Sequence, residues 1–381
     1  MRVVVVEPHG YHTFFLRMYA ELLPSLLGTD ELDIRYIVRR KLVESTRALL
    51  GPGALVESPG VGPVDLGPGN PVGSAWFKFR VSALIRRHAP DVLIFNTLDS
   101  GPAQTLFRRL PADVKVGLLH NPHALRSWRP GAGELIACLH RHDYEAMRDA
   151  LPITTYFSPY FLPEYQRQQP KEDTLLRVAV GGVISFDRRD YELLVQVAAL
   201  LAARGVVDQV VFDIVGESKI RDGPRLRRLV EAGGLGDFFQ FHSGLTDGEF
   251  FQRLSDADFI CALVHPRKGP YGKGKVSAAY GNSGALGRPL LIHGAVARRI
   301  HLPESVCATY EDADDLVGII LSGRALAEEL TAPYRKYVLG ELAANRDHLS
   351  RVGHSRTPER RTPRDRCGGS RLILPVIPSG R

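Results

Sequence analysis

Short apolar runs alternate with stretches of helical periodicity along the first half of the chain. Four runs of four to six residues predict buried strands: Val3–Val6, Ile34–Val38, Asp91–Phe95 and Val114–Leu119. Apolar residues recur at helical spacing over 14–27, 76–88 and 134–150, and the last of these helices is expected to end before Pro152. Residues 51–73 are rich in Gly and Pro, which predicts an extended loop.

A polar segment at 166–173 interrupts this alternation, which then starts again. Five further strands are predicted: Leu176–Val180, Val210–Val215, Phe238–His242, Phe259–Val264 and Pro289–Ile292. Between and after them the pattern predicts helices near Tyr191–Arg204, Pro224–Ala232, Asp247–Leu254, Val276–Leu286 and Asp312–Leu321. A last helical stretch covers 325–349 and is expected to break at Pro333.

Short buried strands that alternate with helices are typical of parallel α/β sheets. The sequence therefore predicts an α/β protein with two sheet domains, at 1–168 and 169–325, followed by a helical segment at 326–350. In such sheets ligands bind beyond the carboxyl ends of the strands. We therefore expect the functional residues in the loops that follow strands.

The net charge of +7 comes mainly from the end of the chain. Residues 351–381 hold eight Arg against two acidic residues, whereas the other 350 residues carry 41 basic and 40 acidic groups. This segment is also rich in Pro, Thr and Gly, which predicts a disordered basic tail. Nucleic-acid binding is not expected, because the rest of the chain is nearly neutral. The tail itself would suit phosphates or anionic lipid heads.

Overall composition is that of an ordinary globular protein, with 44% hydrophobic and 24% charged residues. No apolar run approaches the length of a membrane-spanning helix. The four Cys are widely spaced, so we expect reduced thiols and no structural zinc site. A cytoplasmic protein is expected, with contact to the inner face of a membrane left open.

Residues 181–194, GGVISFDRRDYELL, follow a predicted strand and lead into a helix. Gly181 and Gly182 allow the backbone to approach a ligand closely, and the helix N-terminus favours a phosphate. Arg188 and Arg189 are placed to neutralise a diphosphate. A tight turn with solvated arginines is the alternative.

A second basic loop, residues 265–291, lies between another predicted strand and helix. It carries Lys268, Lys273 and Lys275 among glycines, and Ser277 falls in the first helical turn. This combination favours phosphate binding, although it lacks the spacing of a Walker A loop.

These two loops and several segments between them, taken in their order along the chain, resemble the donor-binding domain of GT-B glycosyltransferases, which use nucleotide-sugar donors. The resemblance covers about 176–320 and rests on Gly182 with Arg188 six positions on, Phe212–Gly216, Phe241–Leu245, Ser255–Ile260, and the loop ending Gly287-Arg288-Pro289. It implies that Gly182, Arg188, Lys275 and Ser277 bind the donor diphosphate. It also implies that Gly216, Gly244 and Leu245 lie near the nucleotide.

The chain departs from the retaining members of this group at two acidic positions. Those members carry two Glu eight residues apart, and counting back from Gly287 places Asn282 and Gly274 there instead. The usual carboxylate partner of the donor sugar is therefore missing.

The first domain resembles the acceptor domain of GT-B enzymes in its architecture. Its candidate polar residues follow strands: Glu7, His9, Gly10 and His12; Asn96, Asp99 and Ser100; and His120, Asn121 and His123. His120 best matches a histidine that lines the donor-sugar site of similar enzymes and is the candidate catalytic residue. His9 or His12 would suit a general base if the reaction inverted the anomeric configuration.

The resemblance implies a GT-B fold, two Rossmann-like domains facing a central cleft, and sugar transfer from a nucleotide diphosphate sugar to an acceptor hydroxyl. It further implies retention of configuration and no metal or other cofactor. The expected partners are a nucleotide-sugar donor and a sugar or lipid-linked acceptor, in bacterial polysaccharide, glycolipid or glycoconjugate synthesis. A noncatalytic protein on a degenerate GT-B scaffold and a nucleotide-sugar epimerase of the same fold are the alternatives.

Overall fold

Two parallel β-sheets with helices between their strands make up the computed structural model of the chain. It describes residues 1–8, 15–51, 53–58, 71–121, 130–131, 133–158, 162–165, 175–216, 222–266 and 277–354, with the backbone alone at 41, 71–77 and 163. The polar segment at 166–173, which we interpret as the linker between the two domains, and residues 355–381 of the predicted tail lie outside the described residues. None of the described helices has the length and apolar character needed to cross a bilayer.

The first sheet has seven strands: β1 (Arg2–Val6), β2 (Asp33–Ile37), β3 (Leu55–Glu57), β4 (Val92–Phe95), β5 (Val114–Leu119), β6 (Glu134–Cys138) and β7 (Thr155–Tyr156). Their order is β3-β2-β1-β4-β5-β6-β7, and neighbouring strands are parallel. Five helices accompany them: α1 (Leu16–Leu27), α2 (Val43–Leu50), α3 (Pro71–His88), α4 (Gly101–Arg109) and α5 (Arg141–Met147).

The second sheet has six parallel strands: β8 (Leu176–Gly181), β9 (Val210–Val215), β10 (Phe239–His242), β11 (Phe259–Cys261), β12 (Leu290–His293) and β13 (Cys307–Tyr310). Their order is β10-β9-β8-β11-β12-β13. Its helices are α6 (Tyr191–Ala203), α7 (Gly223–Ala232), α8 (Asp247–Ser255), α9 (Ala278–Leu286), α10 (Gly294–Arg299), α11 (Ala313–Leu321) and α12 (Gly323–His354).

The last helix, α12, runs from the second sheet back to the first. Its Tyr334 lies against Ser283 of α9, while Arg346 pairs with Glu21 of α1 at 2.9 Å. The helix continues through Pro333, where the sequence predicts a break, because buried side chains on both sides of the proline hold it to the core. It also reaches His354, four residues into the segment predicted as a disordered tail.

Two of the predicted elements are wrong. The stretch 134–150, predicted as one helix, begins with β6, whose five residues are all buried between β5 and β7, and only Arg141–Met147 is helical. A short apolar run suits a buried parallel strand as well as a helix, and periodicity alone does not separate them. The predicted loop at 51–73 contains the edge strand β3 and the start of α3.

An ion pair joins β5 to β6 and gives a test of their pairing. Lys115 Nζ lies 2.9 Å from Glu134 Oε1, and the Gly131 N–H donates to the same carboxylate. Burial raises the pKa of Glu134, but these two contacts outweigh burial and leave the pKa below its ordinary value.

Because the folded-state pKa of Glu134 is lowered, the pair stabilises the fold above the ordinary carboxyl pKa. That stabilisation is lost as the pH falls through the lowered folded value. We expect the free energy of unfolding, measured between about pH 3 and pH 6, to depend less steeply on pH in Glu134→Gln than in the wild type. Equal slopes in the two proteins would contradict this assignment.

Candidate functional site

The strand orders create one topological switch point in each sheet. In the first sheet β1 lies beside β4, and in the second β8 lies beside β11, so the chain leaves these strand pairs in opposite directions. A crevice opens at such a point beyond the carboxyl ends of the strands. The predicted polar and glycine-rich segments directly follow these strands.

A buried polar cluster fills the switch point of the first sheet. The Glu7 carboxylate, at the end of β1, accepts hydrogen bonds from Asn96 Nδ2 at 2.6 Å and Thr97 Oγ1 at 2.9 Å, both directly after β4. The Tyr19 hydroxyl of α1 donates to Asn96 Oδ1 at 3.0 Å. Glu7, Tyr19 and Asn96 are fully buried. A buried carboxylate is tolerated because several donors surround it.

Tyr19 acts as a donor in this cluster because it stays protonated. Burial, and secondarily the nearby Glu7 charge, raises the pKa of Tyr19 well above its usual value. The sequence places Asn96 on the acceptor side, but its side chain is fully buried with both ends of its amide engaged. The position of Asn96 suits a residue that holds neighbouring groups in place.

His120 lies at the end of β5, next to this cluster, and is 8% exposed. Its Nε2 is 2.7 Å from the Asn96 carbonyl oxygen, and its ring packs on Phe15 with centroids 4.9 Å apart. The Asp99 carboxylate accepts from the backbone N–H groups of His120, at 3.0 Å, and Asn121, at 3.3 Å. Side chain and backbone of His120 are therefore both anchored.

A glycine turn, Gly181–Val183, occupies the switch point of the second sheet. Gly182 has φ +103° and donates to the Val215 carbonyl at 2.7 Å, while Gly216, at the end of β9, has φ +145°. A Cβ atom on Gly216 would collide with the Gly182 carbonyl oxygen. The two backbones can approach this closely only because residue 216 is glycine.

The two adjacent arginines that follow this turn have different surroundings. Arg189 is 5% exposed and donates to the Gly181 carbonyl at 2.6 Å and the Val183 carbonyl at 2.9 Å. Arg188 is exposed, and its side chain makes no hydrogen bond or ion pair with any described residue. The Arg189 side chain therefore stabilises the turn, whereas the Arg188 side chain is accessible to an anion.

The turn after β10 lies on the other side of β9. Ser243 Oγ donates to the Gly216 carbonyl at 3.1 Å, which joins this turn to the end of β9. Gly244 is exposed at φ +73°, and Leu245 packs partly on the core. The predicted nucleotide residues Gly216, Gly244 and Leu245 therefore follow neighbouring strands.

Helix α9 starts on the far side of the switch point, after β11. Ser277 caps it by accepting from the Ala279 N–H at 3.3 Å. Asn282, at one of the expected acidic positions, is 4% exposed, and its Oδ1 has no hydrogen-bond partner among the described residues. A buried amide oxygen in this condition is open to a donor from outside those residues. The Asp190 N–H, at the start of α6, donates to the Leu263 carbonyl at 2.8 Å and so ties the segments after β8 and β11 together.

The carboxyl edge of the first sheet meets the second sheet at α9. His140, which follows β6, packs edge-on against Tyr280 of α9 with centroids 5.3 Å apart. Strands β5 and β6 pair with Leu119 opposite Cys138, so His120 and His140 follow adjacent strands at nearly the same level. His120 therefore lies one strand away from the contact with α9.

Several predicted residues lie outside the described residues: His9, Gly10, His12, His123, Lys268, Lys273, Gly274 and Lys275. In the described part of the chain, no three His, Cys, Asp or Glu side chains come together as a metal site would require.

Residues missed by the sequence interpretation are mainly those that support others. Thr97 is the second residue after a predicted strand, and this position is its only signal in the sequence. Tyr19 lies inside a helix and meets Asn96 across 77 residues, which local pattern does not reveal.

Comparison with solved structures identifies the fold. No protein-family model and no curated protein sequence matches the chain. A glycosyltransferase from Rickettsia africae is 11% identical with a TM-score of 0.60, covering 93% of this chain and 97% of its own. Sucrose-phosphate synthase from Thermosynechococcus elongatus is 13% identical with a TM-score of 0.59, covering 94% and 100%.

A third similar structure is described as a UDP-N-acetylglucosamine 2-epimerase, from Listeria monocytogenes. It is 11% identical with a TM-score of 0.53 and covers 94% of this chain and 98% of its own. Such low identities bear on the fold and leave the reaction open. The chain has the GT-B fold that the sequence resemblance predicts, with two Rossmann-like sheets.

Proposed function

We propose that the chain is a glycosyltransferase that moves a sugar from a nucleotide diphosphate sugar to an acceptor hydroxyl. The observation that carries this proposal is the glycine turn at the second switch point, with the buried Arg189 beneath it and the exposed Arg188 beside it. A rigid backbone turn next to an exposed guanidinium suits a diphosphate.

In this proposal the donor lies along the carboxyl edge of the second sheet. Its diphosphate would meet Gly182, Arg188 and Ser277, and its nucleotide would lie near Gly216 and the turn at Gly244–Leu245. The resemblance adds Lys275 to the diphosphate contacts. The Arg188 guanidinium would stabilise the negative charge that gathers on the leaving diphosphate, so the catalysis would be largely electrostatic.

Asn282 would take over part of the role of the missing acidic pair. Its amide both donates and accepts hydrogen bonds, and its Oδ1 has no partner among the described residues. A hydroxyl group of the donor would satisfy this oxygen without bringing a second negative charge near the diphosphate. The proposal therefore includes Asn282 as a donor contact, with retention of configuration still an inference from the resemblance.

The acceptor, a sugar or a lipid-linked sugar, would bind at the first sheet near His120 and Asn121. Because β6 meets α9 through His140 and Tyr280, the edge that carries His120 lies close to the donor-binding helix. The expected setting is bacterial polysaccharide, glycolipid or glycoconjugate synthesis without a metal ion.

The test is calorimetric titration of UDP, GDP and ADP into the wild type without added metal. We expect one nucleotide to bind. The substitution Arg188→Ala should lower the affinity for this nucleotide at least about tenfold, the loss expected for one charge-assisted contact. Lys275→Ala should act in the same direction. The matched control is Arg204→Ala, because Arg204 is also exposed but lies at the opposite, C-terminal end of α6.

Failure of all three nucleotides to bind would contradict the proposal. Binding without transfer to any acceptor would favour the noncatalytic alternative. The similarity to the Listeria protein supports the epimerase alternative. That alternative predicts that a bound nucleotide sugar changes configuration when no acceptor is present.

A further inference from the structure

We propose that Glu7 and Asn96 are positioning residues that hold His120 in its Nε2–H tautomer, so that Nδ1 is the nitrogen that takes or gives a proton. The proposal concerns a network between β1, β4, α1 and β5 whose members are far apart in the sequence. Its consequence for catalysis rests on the proposed sugar transfer, but the protonation state itself is independent of any substrate.

The tautomer follows from the nature of the partner of Nε2. This nitrogen lies 2.7 Å from the backbone carbonyl oxygen of Asn96. A carbonyl oxygen carries no proton, so the hydrogen of this bond belongs to Nε2. Neutral imidazole carries one N–H, and Nδ1 is then the nitrogen with the lone pair.

The Asn96 carbonyl is held in place from several sides. The backbone N–H of Asn96 donates to the Val6 carbonyl at 2.9 Å, which extends the pairing of β4 with β1. Its side-chain amide donates to Glu7 and accepts from Tyr19, with all three residues fully buried. The carbonyl belongs to the peptide group between Asn96 and Thr97, and the side chains of both residues donate to the buried Glu7 carboxylate. Displacing this peptide group would strain hydrogen bonds between buried groups, so the carbonyl stays directed at Nε2.

Glu7 also supplies charge. Two carboxylates are linked to His120 by hydrogen bonds: Asp99 accepts from the His120 N–H, and Glu7 accepts from the side chain of Asn96. The Tyr19 hydroxyl, which donates to Asn96, stays neutral because burial raises its pKa. A buried negative charge linked to His120 through one residue stabilises the imidazolium. Removing the charge of Glu7 while keeping its shape should therefore lower the pKa of His120.

This arrangement would fix which ring nitrogen of His120 exchanges a proton with a substrate group. A histidine that lines a sugar site can donate to or accept from a hydroxyl, and the two tautomers differ in which of these Nδ1 does. With Nε2 committed to Asn96, neutral His120 would accept at Nδ1 and charged His120 would donate there.

The experiment is long-range ¹H–¹⁵N correlation spectroscopy of the full chain labelled with ¹⁵N-histidine, across a pH titration. His120→Gln identifies the His120 signals. We expect the neutral wild-type ring to show a protonated Nε2 and an unprotonated Nδ1. Glu7→Gln keeps an oxygen for Asn96 Nδ2, so the tautomer should persist while the pKa of His120 falls by about 1, the effect of one nearby charge.

The exposed His301 is the internal control, and its ring signals should be the same in both proteins at each pH. A wild-type ring protonated at Nδ1, or an unchanged pKa of His120 in Glu7→Gln, would overturn the proposal. Asn96→Ala should give a mixture of tautomers, and if this variant does not fold, the wild-type and Glu7→Gln spectra still decide. A chain that binds no nucleotide would leave these spectra unaffected, so this test is separate from that of the proposed function.

Discussion

Arg189→Met is expected to lower the free energy of unfolding by about 3 kcal/mol, the range for loss of charged hydrogen bonds to buried groups. The guanidinium donates to two carbonyls of the glycine turn, those of Gly181 and Val183, and is almost completely buried. Methionine fills much of the volume but donates no hydrogen bond, so both carbonyls lose their partner. Chemical denaturation followed by circular dichroism, without nucleotide, measures the loss.

The adjacent residue provides a matched control. Arg188→Met changes the same side chain in the same segment, but Arg188 is exposed and its side chain makes no contact of this kind with a described residue. Its free energy of unfolding should stay within about 0.5 kcal/mol of the wild type, as for most surface substitutions. Equal destabilisation by the two substitutions would contradict the division of roles.

This pair of arginines shows where sequence interpretation ends. The glycines, the basic residues and the strand-to-helix context at 181–194 are visible in the sequence and predict a turn at the carboxyl edge. Both arginines carry the same local signal. Which one folds under the turn depends on the direction of each side chain, and that is decided by three-dimensional packing.

The same limit applies to the elements. Strands β1 and β4 match their prediction because buried parallel strands favour a continuous apolar run. Strand β6 was mistaken for a helix because the segment from Glu134 has apolar residues compatible with both periods. The two-residue strand β7 is too short to carry any period, and it exists because β6 offers it a partner.

The sequence shows which polar residues follow the strands of the first domain, but it does not show how they are arranged. Glu7, Asn96 and His120 are all visible as polar residues after apolar strands. Their hydrogen bonds with one another, and the contribution of Tyr19, depend on the strand order, which the sequence does not specify.

Gly216→Ala is expected to lower the free energy of unfolding by about 3 kcal/mol, combining backbone strain with a steric clash. Gly216 has φ +145°, and a Cβ there would collide with the Gly182 carbonyl oxygen. Neither of the two backbone segments can move aside easily. The Gly182 N–H donates a hydrogen bond to the Val215 carbonyl, and the Gly216 N–H donates one to the His242 carbonyl. The change should therefore also displace the glycine turn, and nucleotide affinity should fall with stability.

Gly205→Ala separates the two contributions. Gly205 also has a positive φ, +72°, but a Cβ there would meet nothing within 4 Å, and the residue lies at the end of α6 opposite the site. Its substitution should cost about 1 kcal/mol from the backbone conformation alone and leave nucleotide binding unchanged. Denaturation and calorimetry of the two variants side by side would test this. If Gly216→Ala were no worse than Gly205→Ala, the close approach of β8 and β9 would not be a structural requirement, and the glycine turn would lose its role as the rigid part of the donor site.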